Sequence, residues 1–165
     1  MATAIFFASS TGNSAEIANR ISSALNNIEV FDLSGTKIEK INEYDKIILG
    51  GSTWGDGELN DDWEDAWADF CKLDLSNKTI ALFGLGDQES YSDEFCSALG
   101  EIYKQVVALG AKVIGFTSTE GYHHDASKAQ IDNNFVGLVI DEDNQSELTD
   151  KRIEDWVQNI KEDIL

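Results

Sequence analysis

Proline is absent from this chain of 165 residues, basic side chains are scarce, and no apolar run approaches the length of a membrane span. Without proline, no X-Pro isomerisation phase is expected in folding. Lys and Arg number 12 against 31 Asp and Glu, a formal charge of -19. That imbalance argues against nucleic-acid binding, because affinity for a phosphate backbone is carried by basic side chains. It favours instead fast, oriented encounters with basic partners. No stretch comes near the roughly 20 apolar residues that cross a bilayer, and no charged segment followed by an apolar one opens the chain. The expectation is a cytoplasmic protein that does not associate with membranes.

Cysteine and histidine are equally sparse. Cys71 and Cys96 fall in helical patterns without CxxC or metal-type spacing, so buried free thiols are expected rather than a disulfide. His123 and His124 are adjacent, their side chains diverge, and no other Cys or His lies nearby, so no metal site is expected.

With 42% hydrophobic residues, the chain can bury the core of one domain, residues 1–165. Strand patterns fall at 3–8, 28–33, 46–51, 78–84 and 112–116, with a further apolar stretch at 136–140 after a polar insertion, 117–135. Helical patterns lie between them: Ile17, Ala18, Ile21 and Leu25; Trp63, Ala66, Trp67, Phe70 and Cys71; Phe95, Leu99, Ile102, Tyr103, Val106 and Val107. Ile153, Trp156, Val157, Ile160 and Ile164 follow, with Thr149 as the expected N-cap. Short strands alternating with helices predict right-handed crossovers and a three-layer α/β domain, a parallel sheet covered on both faces.

In such sheets ligands sit beyond the carboxyl ends of the strands. Three loops there have unusual content, at 9–14, 52–62 and 84–91. Ser9-Ser10-Thr11-Gly12-Asn13-Ser14 joins a strand to a helix N-terminus, where free amides and the dipole favour an anion. With no Lys or Arg in the loop, hydroxyls and amides would have to grip a single enclosed phosphate. A second reading carries equal weight from this segment alone: Asn13 caps the helix, with Glu16 completing a capping box. Trp54 and Tyr91 could sandwich a flat ring, or each could fold onto its own loop, Tyr91 against Phe95. Gly50, Gly51, Gly55, Gly57, Gly84 and Gly86 suit close backbone approach in these loops, leaving free backbone groups at Gly55, Gly57 and Gly86.

Four motifs in order now carry a resemblance. They are Ala8-Ser9-Ser10-Thr11-Gly12-Asn13-Ser14, Ser52-Thr53-Trp54-Gly55-Asp56-Gly57-Glu58-Leu59, Gly84-Leu85-Gly86-Asp87-Gln88-Glu89-Ser90-Tyr91, and the run from Phe135 to Gln145 with Asp141-Glu142-Asp143-Asn144 near its end. Together they resemble a flavodoxin, and the insertion resembles that of the long-chain branch. The resemblance implies strand order 2-1-3-4-5 with the insertion in the fifth strand. It also implies non-covalently bound FMN and a low-potential one-electron carrier shuttling between semiquinone and hydroquinone, not an enzyme. Ser9, Ser10, Thr11, Gly12, Asn13 and Ser14 would hold the FMN phosphate. Thr53, Trp54, Gly55, Asp56 and Gly57 would line one face and the N5 edge of the flavin; Leu85, Gly86, Asp87 and Tyr91 would line the other face, and Asp143 would sit near the ribityl chain. Partners would be basic-faced redox proteins such as flavodoxin reductases and acceptor oxidoreductases, met transiently by a monomer. Glu94 and Cys96 stand where the family often has amides, and Asp56 where it often has a neutral residue.

Rival chemistries lack their signatures. A reductase would need a nicotinamide site, and 84–89 lacks the final glycine of GxGxxG. A phosphoacceptor module would need carboxylates where Ser9-Ser10-Thr11 and Gly50-Gly51-Ser52 stand, and GxxxxGK[ST] is missing.

The Gly55-Asp56 peptide is the expected switch, since glycine makes both orientations of that peptide accessible. Gly55→Val is expected to lower the maximal one-electron-reduced fraction in a redox titration; an unchanged maximum would remove the peptide from the account.

Overall fold

A computed structural model describes residues 3–8, 12–54 and 58–165. Its centre is β1 (Thr3–Ala8), an apolar run buried along its whole length. Side chains alternate across a strand, so Ala4, Phe6 and Ala8 enter one core and Ile5 and Phe7 the other. On the first face lie α2 (Asp61–Phe70) and α3 (Ser97–Ala108), contributing Trp63, Phe70, Leu99 and Ile102; on the second lie α1 (Asn13–Ala24) and α4 (Thr149–Ile164), contributing Ile17, Ile21, Trp156 and Ile160.

Parallel pairing sets β1 between β2 (Glu29–Asp32) and β3 (Lys46–Trp54), and β3 pairs in turn with β5 (Thr79–Leu85). Between them in sequence, β4 (Glu58–Leu59) runs back antiparallel on the end of β3. The fifth position of the sheet is filled in two pieces. β6 (Lys112–Ile114) flanks Thr79 to Ala81, and β10 (Leu138–Ile140) flanks Phe83 to Leu85. The five-position order expected from the resemblance is therefore the observed one.

Residues 115–137 separate the two pieces. Within them β7 (Thr117–Ser118), β8 (Gln130–Ile131) and β9 (Asn134–Phe135) form a small antiparallel sheet in the order β7-β9-β8. Gly115, at φ 84, turns the chain out of β6, a conformation that glycine alone adopts freely. The segment is docked by aromatic packing of Phe95 against Tyr122, His124 and Phe135. Trp156 Nε1 donates to Gly115 O at 2.9 Å, and Thr117 Oγ1 to Gly137 O at 2.6 Å.

Several local expectations are corrected. The polar connection after β2 holds a 3-10 helix, Ile38–Glu43, because Ile38 and Ile41 drop into the core. Thr149 is the first residue of α4 and not its N-cap, which is Leu148; the Thr149 hydroxyl donates to Glu142 Oε2 at 3.1 Å. Phe95 precedes α3, and Val107 is 47% exposed, off the inward face. Cys71 and Cys96 are free thiols flanking helix ends, and Cys71 is only partly buried.

Helix α3 meets the inserted segment at Gly100, where a Cβ would lie 2.3 Å from the Lys128 carbonyl oxygen. Alanine in a helix interior normally gains up to about 1 kcal/mol over glycine, but overpacking against backbone costs roughly 1–3 kcal/mol. Gly100→Ala is therefore expected to lower the thermal midpoint, measured by circular dichroism.

Candidate functional site

The carboxyl ends of the parallel strands form one row. Ala8 pairs with Gly51, Ser52 with Leu85, and Leu85 with Ile140. Strands lie about 4.8 Å apart, so the ends of β1, β3, β5 and β10 follow one another along this edge.

At the β1 end, Gly12 is the N-cap of α1, with φ 91, and Asn13 is the first helical residue. The capping-box reading fails here. Glycine has no side chain to cap with, and the Glu16 carboxylate turns to Arg20, 2.6 Å away. A Cβ built on Gly12 would meet nothing within 4 Å, so there is open space beside Gly12 at the start of the helix. Ser14 is buried, and its Oγ lies 3.0 Å from Ser52 Oγ, joining the start of α1 to the end of β3. Amides at a helix N-terminus beside a hydroxyl and open space suit a phosphate.

At the β5 end the chain runs through Leu85, Gly86 and Asp87. Asp87 accepts from Glu89 N at 3.1 Å and Ser90 N at 2.9 Å, and Tyr91 N donates to Asp87 O at 3.0 Å. Tyr91 is 46% exposed. It does not fold onto Phe95, whose ring packs on Tyr122, His124 and Phe135. Leu85 is buried, so its side chain belongs to the core. Gly86 departs from expectation: its amide is not free but donates to Ile140 O at 3.1 Å. The glycine is required by close packing, because a Cβ would come within 2.8 Å of Cys96 Sγ. Gly50, Gly51 and Gly84 likewise make room for Phe83, Trp63 and Leu99.

Asp143 is exposed, and its amide donates to Asp141 Oδ1 at 3.1 Å. Of the expected site residues, Gly12, Asn13, Ser14, Leu85, Gly86, Asp87, Tyr91 and Asp143 thus lie along one edge, Asn13 and Ser14 in the first turn of α1 and Leu85 at the end of β5. Ser9, Ser10, Thr11, Gly55, Asp56 and Gly57 fall outside the described residues, as do the side chains of Thr53 and Trp54.

Sequence reasoning missed Asp141, Gln88 and Asn144. The Asn144 side-chain amide donates to Asp87 Oδ1 at 2.8 Å and to Asp141 Oδ2 at 2.9 Å, closing the loop at 85–91 onto the loop after β10. The available signal was a carboxylate placed directly after a fully buried strand, where no solvated face could hold it.

Charge accumulates here with little compensation. Burial opposes ionisation of Asp87, but hydrogen bonds from Ser90, Asn144 and Glu89 outweigh it and hold the carboxyl below its ordinary value. Desolvation first, then the Asp87 and Asp141 carboxylates, push Asp143 upward. Asp62 on α2 is likewise raised, by burial and then by Asp32, Asp65 and Asp61. Among the described residues, no three His, Cys, Asp or Glu are grouped to hold a metal, and no helix is long and apolar enough to cross a membrane.

Because the folded-state value of Asp87 is depressed, its ionised form stabilises the fold. That contribution is complete above the ordinary value of 3.8 and is lost as pH falls through the lower folded one. Asp87→Asn is expected to lower stability at neutral pH and to unfold with a shallower acid dependence, measured by denaturant titration at about pH 7 and about pH 3. Equal acid sensitivity in both chains would contradict this.

A family model described as Flavodoxin matches residues 5–156. The flavodoxin of Helicobacter pylori is 47% identical over 157 residues, and that of a Picosynechococcus strain 45% over 160, each match covering 95% of this chain and 94% of the relative. Among solved structures, Fusobacterium nucleatum flavodoxin bound to flavin mononucleotide matches with a TM-score of 0.93 at 32% identity, covering 100% of both chains. The fold, the order of strands and these matches along nearly the whole sequence agree: the chain belongs to the flavodoxin family.

Proposed function

We propose that this protein binds FMN without a covalent bond and carries single electrons between redox enzymes, a carrier and not itself an enzyme. The observation behind this reading is the row of strand ends, which sets a helix N-terminus with open space beside Gly12 and a half-exposed Tyr91 along the same edge. A relative that binds flavin mononucleotide at 32% identity over its whole length supports the choice of ligand.

In this reading the hydroxyls and amides of residues 9–14 hold the phosphate. Thr53, Trp54, Gly55, Asp56 and Gly57 line one side of the ring; Leu85, Gly86, Asp87 and Tyr91 line the other, and Asp143 faces the polar chain between. Bound FMN supplies an electron-accepting ring that works between its one- and two-electron-reduced states. The surrounding residues exclude water from it and set its charge environment. Asp87 stays ionised at neutral pH, since its carboxyl is held below the ordinary value. At an effective dielectric near 20, a carboxylate about 8 Å from the ring would oppose added negative charge by roughly 2 kcal/mol before salt screening. Asp87 would thereby disfavour a second electron on the bound group and lower its potential.

The formal charge of -19 fits transient docking to basic faces of reductases and acceptor oxidoreductases, with rates that fall as salt rises. We place the protein in the cytoplasm as a monomer, and in the long-chain branch on the strength of the inserted segment between β6 and β10.

The test is stepwise reduction of the purified protein loaded with FMN, followed by its visible spectrum. Two separate one-electron steps are expected, and Asp87→Asn should raise the second potential by tens of millivolts, about the effect of one screened carboxylate. An apoprotein that takes up no FMN would overturn the reading.

A further inference from the structure

We propose that Asp141 is a positioning residue of the cofactor site, its buried carboxylate clamping the loop at residues 85–91 to the loop that follows β10. The inference rests on the carrier reading above.

Asp141 is 0% exposed, and among the described residues it forms no ion pair. Burying a carboxylate is costly unless hydrogen bonds replace its hydration, and an apolar residue usually serves stability as well. Here amide donors make that replacement, and the two oxygens divide the work. Oδ1 accepts from Asp143 N at 3.1 Å and Asn144 N at 3.0 Å, which fixes its own loop. Oδ2 accepts from Gln88 N at 3.1 Å and Gln88 Nε2 at 2.7 Å, which fixes the other. Asn144 Nδ2 bridges both oxygens, at 3.2 Å and 2.9 Å, and reaches Asp87 Oδ1 at 2.8 Å.

Gln88 is the hinge of this arrangement. It is 2% exposed, and while its amide nitrogen binds Asp141 its Oε1 accepts from His123 N at 2.6 Å, which carries the tie into the inserted segment. Gln88 adjoins Asp87, and Asp87 O holds Tyr91 N at 3.0 Å. The residues assigned to the ring therefore sit on a loop whose position depends on Asp141. At the start of α1, the end assigned to the phosphate, Ser14 is joined to Ser52.

Asp141→Asn tests the clamp, because the carboxamide would turn an N–H group toward donors that now converge on Oδ2. Hydrogen bonds to a charged acceptor are among the stronger ones, so with them disrupted the apoprotein should bind FMN at least about tenfold more weakly. Riboflavin, which lacks the phosphate, should weaken by the same factor, since only the ring end is disturbed. The measurements are fluorescence titrations of the apoproteins, with circular dichroism as the check on folding.

Unchanged affinity in folded Asp141→Asn overturns the proposal. So does a loss of FMN binding that spares riboflavin. Should Asp141→Asn not fold, Gln88→Ala carries the same expectation, and wild-type affinity in it overturns the clamp. A wild-type apoprotein that binds no FMN defeats the carrier reading instead, so the two failures are distinguishable.

Discussion

Parallel pairing of β1 with β3, six residues from Thr3 to Ala8 against Lys46 to Gly51, is the constraint on which the rest of this molecule depends. A parallel pair cannot close through a tight turn, so each connection crosses a face of the sheet as a helix. Both faces of β1 are consequently buried, and two cores form where its alternating side chains point. One consequence is chemical: the carboxyl ends of β1, β3, β5 and β10 lie along the same edge.

That edge explains why residues remote in sequence act together. Ser14 meets Ser52 across 38 positions, and Asn144 meets Asp87 across 57. Neither contact is a local motif. The glycines of β3 and β5 also serve this geometry indirectly, since they admit Phe83, Trp63 and Leu99 and so let helices approach the strand ends closely. A reading that reserved all of them for a ligand assigned to the strand ends what belongs to the core. Gly12 differs, because its φ of 91 and the open space beside it concern the loop itself.

The inserted segment is tied to the site through two kinds of contact. Aromatic rings of Tyr122, His124 and Phe135 pack on Phe95 just beyond the loop at 85–91, and the His123 amide bonds Gln88 inside it. It also divides the fifth sheet position, because β6 covers the first half of β5 and β10 the second. Splitting the strand places Asp141 at the end of its later piece, next to Leu85 and Gly86.

The amino-acid sequence by itself determined the layer architecture. The unbroken apolar runs of β1, β3 and β5 and the helical spacing of Ile17, Ile21, Trp156 and Ile160 follow from local periodicity, which burial enforces residue by residue. It also marked the loops at 9–14 and 84–91 by composition. Only the tertiary structure decided which polar groups were already engaged. It committed the Gly86 amide to Ile140, replaced the expected Asn13 cap with a glycine, left Tyr91 off Phe95, and buried Asp141 among amides. Those outcomes depend on hydrogen bonds between strands and loops far apart in the chain, and no periodicity within a segment records a partner that lies outside it.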